Sequence, residues 1–411
     1  MTFTDIIAIL IPLSALFAFL NERYIGLPRT IGLMALSLVF SLVLLALGRT
    51  GYFGLAESAA AMLAGLDFYT MLMHGMLGFL LFAGALHVNL DDLLAEKWII
   101  LLLATVGVVT TTLLVGGMAW GVLSLLGQDV EPLYCMLFGA LISPTDPIAV
   151  LGIMKKAGAP KSLETTVTGE SLFNDGIGVV VFLALLAMIQ GGHDTGWQGV
   201  VRLFLVEAVG GVCFGALVGF LTYLLLKRVD KYQVEVLITL AAVTGGYRGA
   251  ELLHVSAPLA IVVAGLLVGN QGRHLGMSPL TRRHLDTFWE LVDEVLNAVL
   301  FVLIGLEFLI IPHDIRFVSA GLLMIPLVLL ARWISVKGTV RFLAMFRWFE
   351  KGTARVLTWA GLRGGISVAL ALSLPPGPER AVIISMTYIV MAFSILVQGL
   401  TVGRVIERTL E

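Results

Sequence analysis

The sequence predicts an all-α polytopic membrane protein with about thirteen transmembrane helices. Of its 411 residues, 58% are hydrophobic and only 13% are charged, whereas a soluble domain carries roughly 25% charged residues. The mean hydropathy is +0.98, and the apolar residues recur in stretches long enough to cross a bilayer. The net charge of −2 and the absence of a long basic run argue against a nucleic-acid-binding protein.

Counting stretches of about 20 apolar residues, the length that crosses the hydrocarbon layer, predicts the helices in order. Their limits are 4–21, 28–48, 68–89, 98–126, 132–154, 162–190, 198–226, 233–252, 256–271, 285–311, 317–345, 353–374 and 380–403. At the stretch 51–66, Glu57 and Asp67 flank a run that is rich in Ala and too short to cross a bilayer. We therefore predict a loop or an interfacial helix there.

The positions of Lys and Arg predict the orientation. Nineteen of the 26 basic residues follow odd-numbered spans or the last span, five lie in the opposite connections, and Arg332 and Arg363 lie inside spans. Cytoplasmic loops hold the excess of basic residues. We therefore expect a protein of the cell (inner) membrane with its N-terminus outside and its C-terminus in the cytoplasm. No phosphate-binding loop of the form G-x-x-x-x-G-K-[ST] occurs, so we expect any transport to be gradient-driven or passive. We expect no cofactor.

Two spans are interrupted near their centres. The fifth contains the segment SPTDP, in which Pro144 and Pro147 leave the carbonyls of Ala140 and Ser143 without helical donors. The twelfth contains the segment GLRGG around Arg363. Irregular backbone in a membrane is tolerated where protein or a wet cavity surrounds it, and a matched pair of broken helices indicates a transporter's binding site.

Five ionisable residues inside spans each need a partner or a function, because such a group costs at least about 2.5 kcal/mol in hydrocarbon. They are Asp146, Glu170, Asp175, Arg332 and Arg363. In the motif GESLFNDG, Ser171 and Asp175 are four residues apart on one helix face, and Glu170 and Asn174 are four apart on the adjoining face. We expect Glu170 to pair with Arg332, and Arg363 to offset carbonyl ends of the broken helices.

An all-oxygen set predicts a site for a hard monovalent cation. The set consists of the carboxylates of Asp146 and Asp175, the Ser171 hydroxyl and a freed carbonyl such as that of Thr145. Three buried acids against two buried arginines leave one uncompensated negative charge, provided that Glu207, Glu290, Asp293, Glu294 and Glu307 lie near the interfaces or are paired. Desolvation favours the protonated acid and a bound cation favours the ionised acid, so a proton and a cation should compete, one for one, at Asp175.

These motifs resemble those of the sodium/proton exchangers, specifically the NhaP-type electroneutral branch of the monovalent cation:proton antiporters. The resemblance covers essentially the whole chain, through SPTDPIAV, GESLFNDG, FWELVDEVLNAVLFVLIGLEF from Phe288, Arg332 and AGLRGG. It implies that Asp175 is the exchanged carboxylate, that Asp146, Ser171 and Thr145 assist in binding Na⁺ or Li⁺, and that Glu170 pairs with Arg332. Asn174 replaces the second Asp of the electrogenic branch, which agrees with a 1:1 exchange.

The resemblance also implies the domain organisation. It predicts two inverted six-helix repeats with crossed broken helices 5 and 12, and a homodimer. The expected divisions are 1–92 and 232–313 for the interface domain, 93–192 and 314–411 for the ion-translocating core domain, and 193–231 for a linking helix. One departure is Ala83, since many relatives carry an acid at the corresponding place in the third span.

Three alternatives remain open from the sequence. A K⁺/H⁺ antiporter would have the same fold and the same carboxylates. An intramembrane aspartyl protease would use Asp146 and Asp175 to activate water, but it would not need Arg332, Arg363 or the second broken helix. A passive cation channel would carry a current that follows the membrane potential.

Overall fold

The computed structural model describes residues 3–49, 63, 65, 67–191, 197–272, 278–312 and 314–410. Throughout these residues the chain is helical, apart from connections and one isolated antiparallel bridge between Asp146 and Leu362. This confirms the predicted all-α class. The predicted loop or interfacial helix at 51–66 lies outside the described residues, except for Leu63 and Gly65.

The first half of the chain forms helices at the predicted places. They are α1 (Phe3–Leu20), α2 (Arg29–Arg49), α3 (Phe68–Leu86), α4 (Lys97–Leu125), α5 (Pro132–Ile142), α6 (Ile148–Lys156), α7 (Lys161–Ile189) and α8 (Trp197–Leu226). A short helix, Leu90–Ala95, precedes α4, and the Asn89 side chain caps it by accepting from the amide of Asp91 at 2.8 Å.

The second half follows the same correspondence. Its helices are α9 (Tyr232–Leu252), α10 (Ala257–Gly272), α11 (Pro279–Glu307), α12 (Ile315–Leu343), α13 (Thr353–Ala360), α14 (Gly365–Leu372) and α15 (Pro378–Thr409). Helix or a pair of half-helices thus lies within each of the thirteen predicted spans. Among the described residues, eight helices have the length and hydropathy to cross a membrane: α1, α2, α3, α4, α7, α8, α12 and α15. The count of thirteen crossings stays a prediction.

The two interruptions fall where proline and glycine occur. Helix α5 ends at Ile142 and α6 begins at Ile148, because the proline nitrogens in between cannot donate to the helical ladder. Helix α13 ends at Ala360 and α14 begins at Gly365. The two extended segments meet, since the amide of Asp146 donates to the carbonyl of Leu362 at 2.8 Å. The broken helices therefore contact each other at their unwound centres.

Small residues allow close packing around these helices. Helices α4 and α5 pack together, and a Cβ added at Gly139 would lie 2.2 Å from the backbone oxygen of Thr112. Helix α8 packs on α10 in the same way, because a Cβ at Gly215 would lie 2.2 Å from the carbonyl oxygen of Ala260. At both contacts the backbones approach too closely for any larger residue.

Candidate ion-binding site

Asp146 lies at the crossing of the broken helices, in the unwound segment between α5 and α6. Its Oδ1 accepts a hydrogen bond of 2.8 Å from the amide of Ile148, the first residue of α6. The carboxylate therefore interacts with the positive end of that half-helix, which offsets part of its charge. The remaining oxygen, Oδ2, has no hydrogen bond within the described part of the chain.

Asp175 lies on α7 and is 9% exposed. Neither of its carboxylate oxygens accepts a hydrogen bond from the residues that the structure describes. It lines the same cavity, of about 810 Å³, as Asp146, and the two carboxylates are near enough to interact electrostatically. We call this the carboxylate cavity, and its wall also contains Thr145 and Gly364.

The unwound segment is tied to α7 by hydrogen bonds that centre on Thr145. Its hydroxyl lies 2.9 Å from the Ser171 hydroxyl and accepts from the Asn174 amide group at 2.9 Å, while the Thr145 backbone amide donates to Asn174 Oδ1 at 3.2 Å. Both Ser171 and Asn174 are 1% exposed, and neither lines the carboxylate cavity. The structure thus brings Asp146, Thr145 and Asp175 to the cavity and turns Ser171 toward Thr145.

Glu170 and Arg332, which we expected to pair, form a buried ion pair. Arg332 Nη1 and Nη2 contact the two carboxylate oxygens, the second at 2.8 Å, and the side chains are 5% and 1% exposed. Arg332 Nη2 also donates to the carbonyl of Leu357 at 3.3 Å. The pair joins α7, α12 and α13, and neither residue lines the carboxylate cavity.

Arg363 connects the two broken helices. Its Nη1 donates to the carbonyls of Ser143 and Pro144 at 2.6 and 3.1 Å, so the carbonyl that Pro147 frees at Ser143 is the one that Arg363 occupies. The expectation for the second carbonyl is wrong, because Ala140 accepts from the amide of Ser143 at 3.3 Å. The backbone makes one further turn before it unwinds, which supplies that donor.

Two of the acids that the charge count placed near the interfaces line the carboxylate cavity instead. Glu290 and Asp293 lie on α11 and face the cavity that holds Asp146 and Asp175. Glu294 is paired, with Arg29 at 2.6 Å. Glu307 is 1% exposed, with Oε2 unpartnered among the described residues, and Glu235 is also fully buried. A count of formal charges along the sequence therefore underestimated the buried acids.

Gly364 is a residue of this site that sequence reasoning did not assign. A Cβ there would lie 2.7 Å from both Cβ and Oδ2 of Asp146, while its backbone angles, φ −114° and ψ −167°, are open to any residue. The constraint is therefore contact with Asp146 alone. The run of glycines around Arg363 is visible in the sequence, but only the crossing of the two broken helices shows that Gly364 is the glycine that contacts Asp146. Ala83, in the third span, also lines the cavity.

Replacing Gly364 with alanine is expected to displace the Asp146 carboxylate and to lower transport about tenfold or more, since small displacements of a positioned group carry large rate penalties. The measurement is cation-dependent proton flux in proteoliposomes across a range of cation concentrations. Gly152→Ala on α6 is the matched control, because a Cβ there meets nothing within 4 Å. Equal fluxes of the two variants would contradict the steric role of Gly364.

Comparison with known proteins gives the family. The family described as "Sodium/hydrogen exchanger, transmembrane" matches residues 7–408. The Na⁺/H⁺ antiporter NhaP of Pseudomonas aeruginosa is 52% identical over 408 residues, covering 98% of this chain and 96% of that protein. The Na⁺/H⁺ antiporter NhaH of Halobacillus aidingensis is 33% identical, covering 90% and 91% of the two chains.

The fold has a solved counterpart as well. The sodium proton antiporter MjNhaP1 from Methanocaldococcus jannaschii, solved at pH 8, matches with a TM-score of 0.77 at 18% identity, covering 99% of this chain and 98% of that one. These relatives are named as transporters, which confirms the expectation of a transporter in preference to an enzyme such as an aspartyl protease. On the match over nearly its whole length, the chain belongs to the sodium/hydrogen exchanger family.

Proposed function

We propose that this chain exchanges one Na⁺ or Li⁺ for one proton across the cell membrane, with Asp175 as the carboxylate that binds either ion. The observation that carries this proposal is that Asp175, beside Asp146 in the carboxylate cavity, accepts no hydrogen bond from the described residues. A buried carboxylate without a partner is unfavourable unless a proton or a cation neutralises it. The names of the relatives support Na⁺ and H⁺ as the exchanged ions.

The geometry supports competition of the two ions. A cation at Asp175 has the Asp146 carboxylate and the Thr145 segment as further oxygen donors, whereas a proton needs only one carboxylate oxygen. Asn174 contributes no charge and is engaged by Thr145, which supports a single exchanged charge per cycle. Because an empty, ionised site crosses the membrane poorly, each cation that leaves must be replaced by a proton.

Alternating access is part of this proposal. The carboxylate cavity reaches Asn89, Lys155 and Lys161, which lie at helix ends on the predicted basic, cytoplasmic side. We infer that the structure has its site open toward the cytoplasm. In this orientation the N-terminus lies outside and the C-terminus lies in the cytoplasm, and the protein serves sodium tolerance and pH homeostasis in the inner membrane.

Helix contacts support the division into two domains. Helix α11 packs on α2 and α10 packs on α3 and α9, within the proposed interface domain of residues 1–92 and 232–313. Helix α4 packs on α5 and α12, and α12 packs on α15, within the proposed core domain of residues 93–192 and 314–411. Helix α8, in the proposed linking segment 193–231, packs on α10. We propose that the interface domain also forms a homodimer.

Flux in proteoliposomes with and without an imposed membrane potential tests the proposal. Na⁺ or Li⁺ gradients should drive opposite proton movement at the same rate at zero potential and at 100 mV. A cycle that moved one net charge would be biased by about 2.3 kcal/mol at 100 mV. K⁺ in place of Na⁺ tests the K⁺/H⁺ alternative. Proton flux that changes with potential would contradict 1:1 exchange, and a cation current without proton movement would indicate a channel.

A further inference from the structure

A second cavity of about 460 Å³ lies away from the carboxylate cavity. Glu307, Asp67, Tyr69 and Arg380 are in its wall. It is bordered by connections that follow even-numbered predicted spans, whereas the carboxylate cavity reaches connections that follow odd-numbered spans. Since successive spans run in opposite directions, the predicted order of spans places the two cavities on opposite sides of the membrane. We call this one the outer cavity.

Glu307 is the buried acid of the outer cavity. It is the last residue of α11 and is 1% exposed, and its Oε2 has no hydrogen-bond partner in the part of the chain that the structure describes. Tyr388 on α15 is near enough to interact with it electrostatically, and the Tyr388 hydroxyl is likewise buried and unpartnered there. Among the described residues, the titratable and charged side chains that face Glu307 or its cavity are Asp67, Tyr69, Arg380 and Tyr388.

An ionised Glu307 in this position lacks compensation, so it must bind a proton or a cation when it is away from water. Arg380 lines the same cavity, with Nη2 bound to the carbonyl of Leu372 at 2.9 Å. A metal cation needs several oxygen ligands, and a guanidinium offers only hydrogen-bond donors. A proton, in contrast, needs only one carboxylate oxygen. The surroundings therefore favour a proton at Glu307.

Helix α14 connects Glu307 to the exchange site. Its first residues, from Gly365 to Ser367, line the carboxylate cavity, and its last residue, Leu372, lines the outer cavity. The helix packs on α11, which carries Glu307. The Ser367 hydroxyl is buried without a partner among the described residues. Polar groups that lack partners in this structure mark a path that water enters when the outer side opens.

We propose that Glu307 is a second proton-binding carboxyl, which takes protons from the outside solution through the outer cavity and passes them toward Asp175. This inference rests on the proposed function. The Glu307 carboxylate accepts a proton from a hydronium ion in the outer cavity and leaves water behind. Its O–H then transfers the proton to water in the opened path, and Asp175 accepts it as the bound cation leaves.

Two assays distinguish proton delivery from cation transport: Na⁺/H⁺ exchange, which needs a proton, and exchange of labelled for unlabelled Na⁺, which does not. Glu307→Gln keeps the size of the side chain but cannot carry a proton. In proteoliposomes, it should lower Na⁺/H⁺ exchange about tenfold, a modest share of what positioned proton transfer contributes. It should leave exchange of labelled for unlabelled Na⁺, which requires no proton, within about twofold of wild type. A structural role for Glu307 would lower both modes together, and that result would overturn the proposal.

Two further variants complete the test. Glu307→Asp retains a carboxyl and should recover most Na⁺/H⁺ exchange. Asp67→Asn removes a charge from the same cavity, yet hydrogen bonds from the Thr70 side chain and amide hold the pKa of Asp67 below its usual value, so it carries no proton near neutral pH. Asp67→Asn should leave both modes unchanged, and an equal loss there would refute the proposal.

The wild-type protein separates this inference from the proposed function. A wild-type chain that exchanges Na⁺ for H⁺, together with an unchanged Glu307→Gln variant, would refute the role of Glu307 alone. A wild-type chain without Na⁺/H⁺ exchange would refute the proposed function and the inference that rests on it.

Discussion

Asp175→Asn is expected to abolish cation/proton exchange, with a loss of at least about a hundredfold, while the protein folds and inserts normally. Asparagine has the same shape but cannot bind a proton or balance a cation, so the carboxylate that α7 places beside Asp146 in the cavity is lost. Because an uncompensated buried carboxylate costs stability, we expect the melting temperature in detergent to stay equal or to rise. Sodium-driven proton flux and thermal melting measure the two effects.

Glu164→Gln is the matched control for Asp175→Asn. Glu164 lies on the same helix, lines the same cavity and carries the same charge, but it is half-buried in the first turn of α7. This control reports whether negative charge in the cavity merely attracts cations. Two results would count against Asp175 as the exchanged carboxylate. One is an Asp175→Asn variant that keeps more than a tenth of wild-type exchange. The other is a melting temperature so much lower that unfolding explains the loss of exchange.

Arg332→Gln is expected to lower the folded yield and the melting temperature strongly. The substitution leaves the Glu170 carboxylate, 1% exposed, without its bidentate partner, and breaking a buried pair from one side costs roughly 3–5 kcal/mol. The change also removes the donor to the Leu357 carbonyl on α13. Size-exclusion chromatography and thermal melting in detergent measure the result.

The double variant Glu170→Gln with Arg332→Gln should recover part of this loss, because two neutral amides can bond each other without a buried charge. Arg316→Gln is the matched control, since Arg316 pairs with Asp314 at 2.9 Å on the surface, where an ion pair contributes little. If Arg332→Gln melted like Arg316→Gln, the Glu170–Arg332 pair would have no structural role.

The thirteen candidate spans and the two broken helices follow from local properties of the chain. Hydropathy identifies a span because each helix must satisfy its own backbone in hydrocarbon. Pro144 and Pro147 interrupt α5 and α6 because a proline nitrogen has no hydrogen to donate, wherever the helix lies. The stacking of Ser171 above Asp175 likewise follows from helical spacing alone. These predictions needed no knowledge of neighbouring helices.

Contacts between segments that are distant in sequence determined which side chains face the carboxylate cavity. Ser171 bonds Thr145 instead of facing the cavity, Gly364 lies against Asp146, and Asp293 shares the cavity with Asp175. Each of these depends on which atoms fill the space left by another helix, because a side chain's polar partners in a low-dielectric interior are set by packing across helices. Sequence therefore determined which residues are charged, broken or apolar, and tertiary structure determined which of them meet.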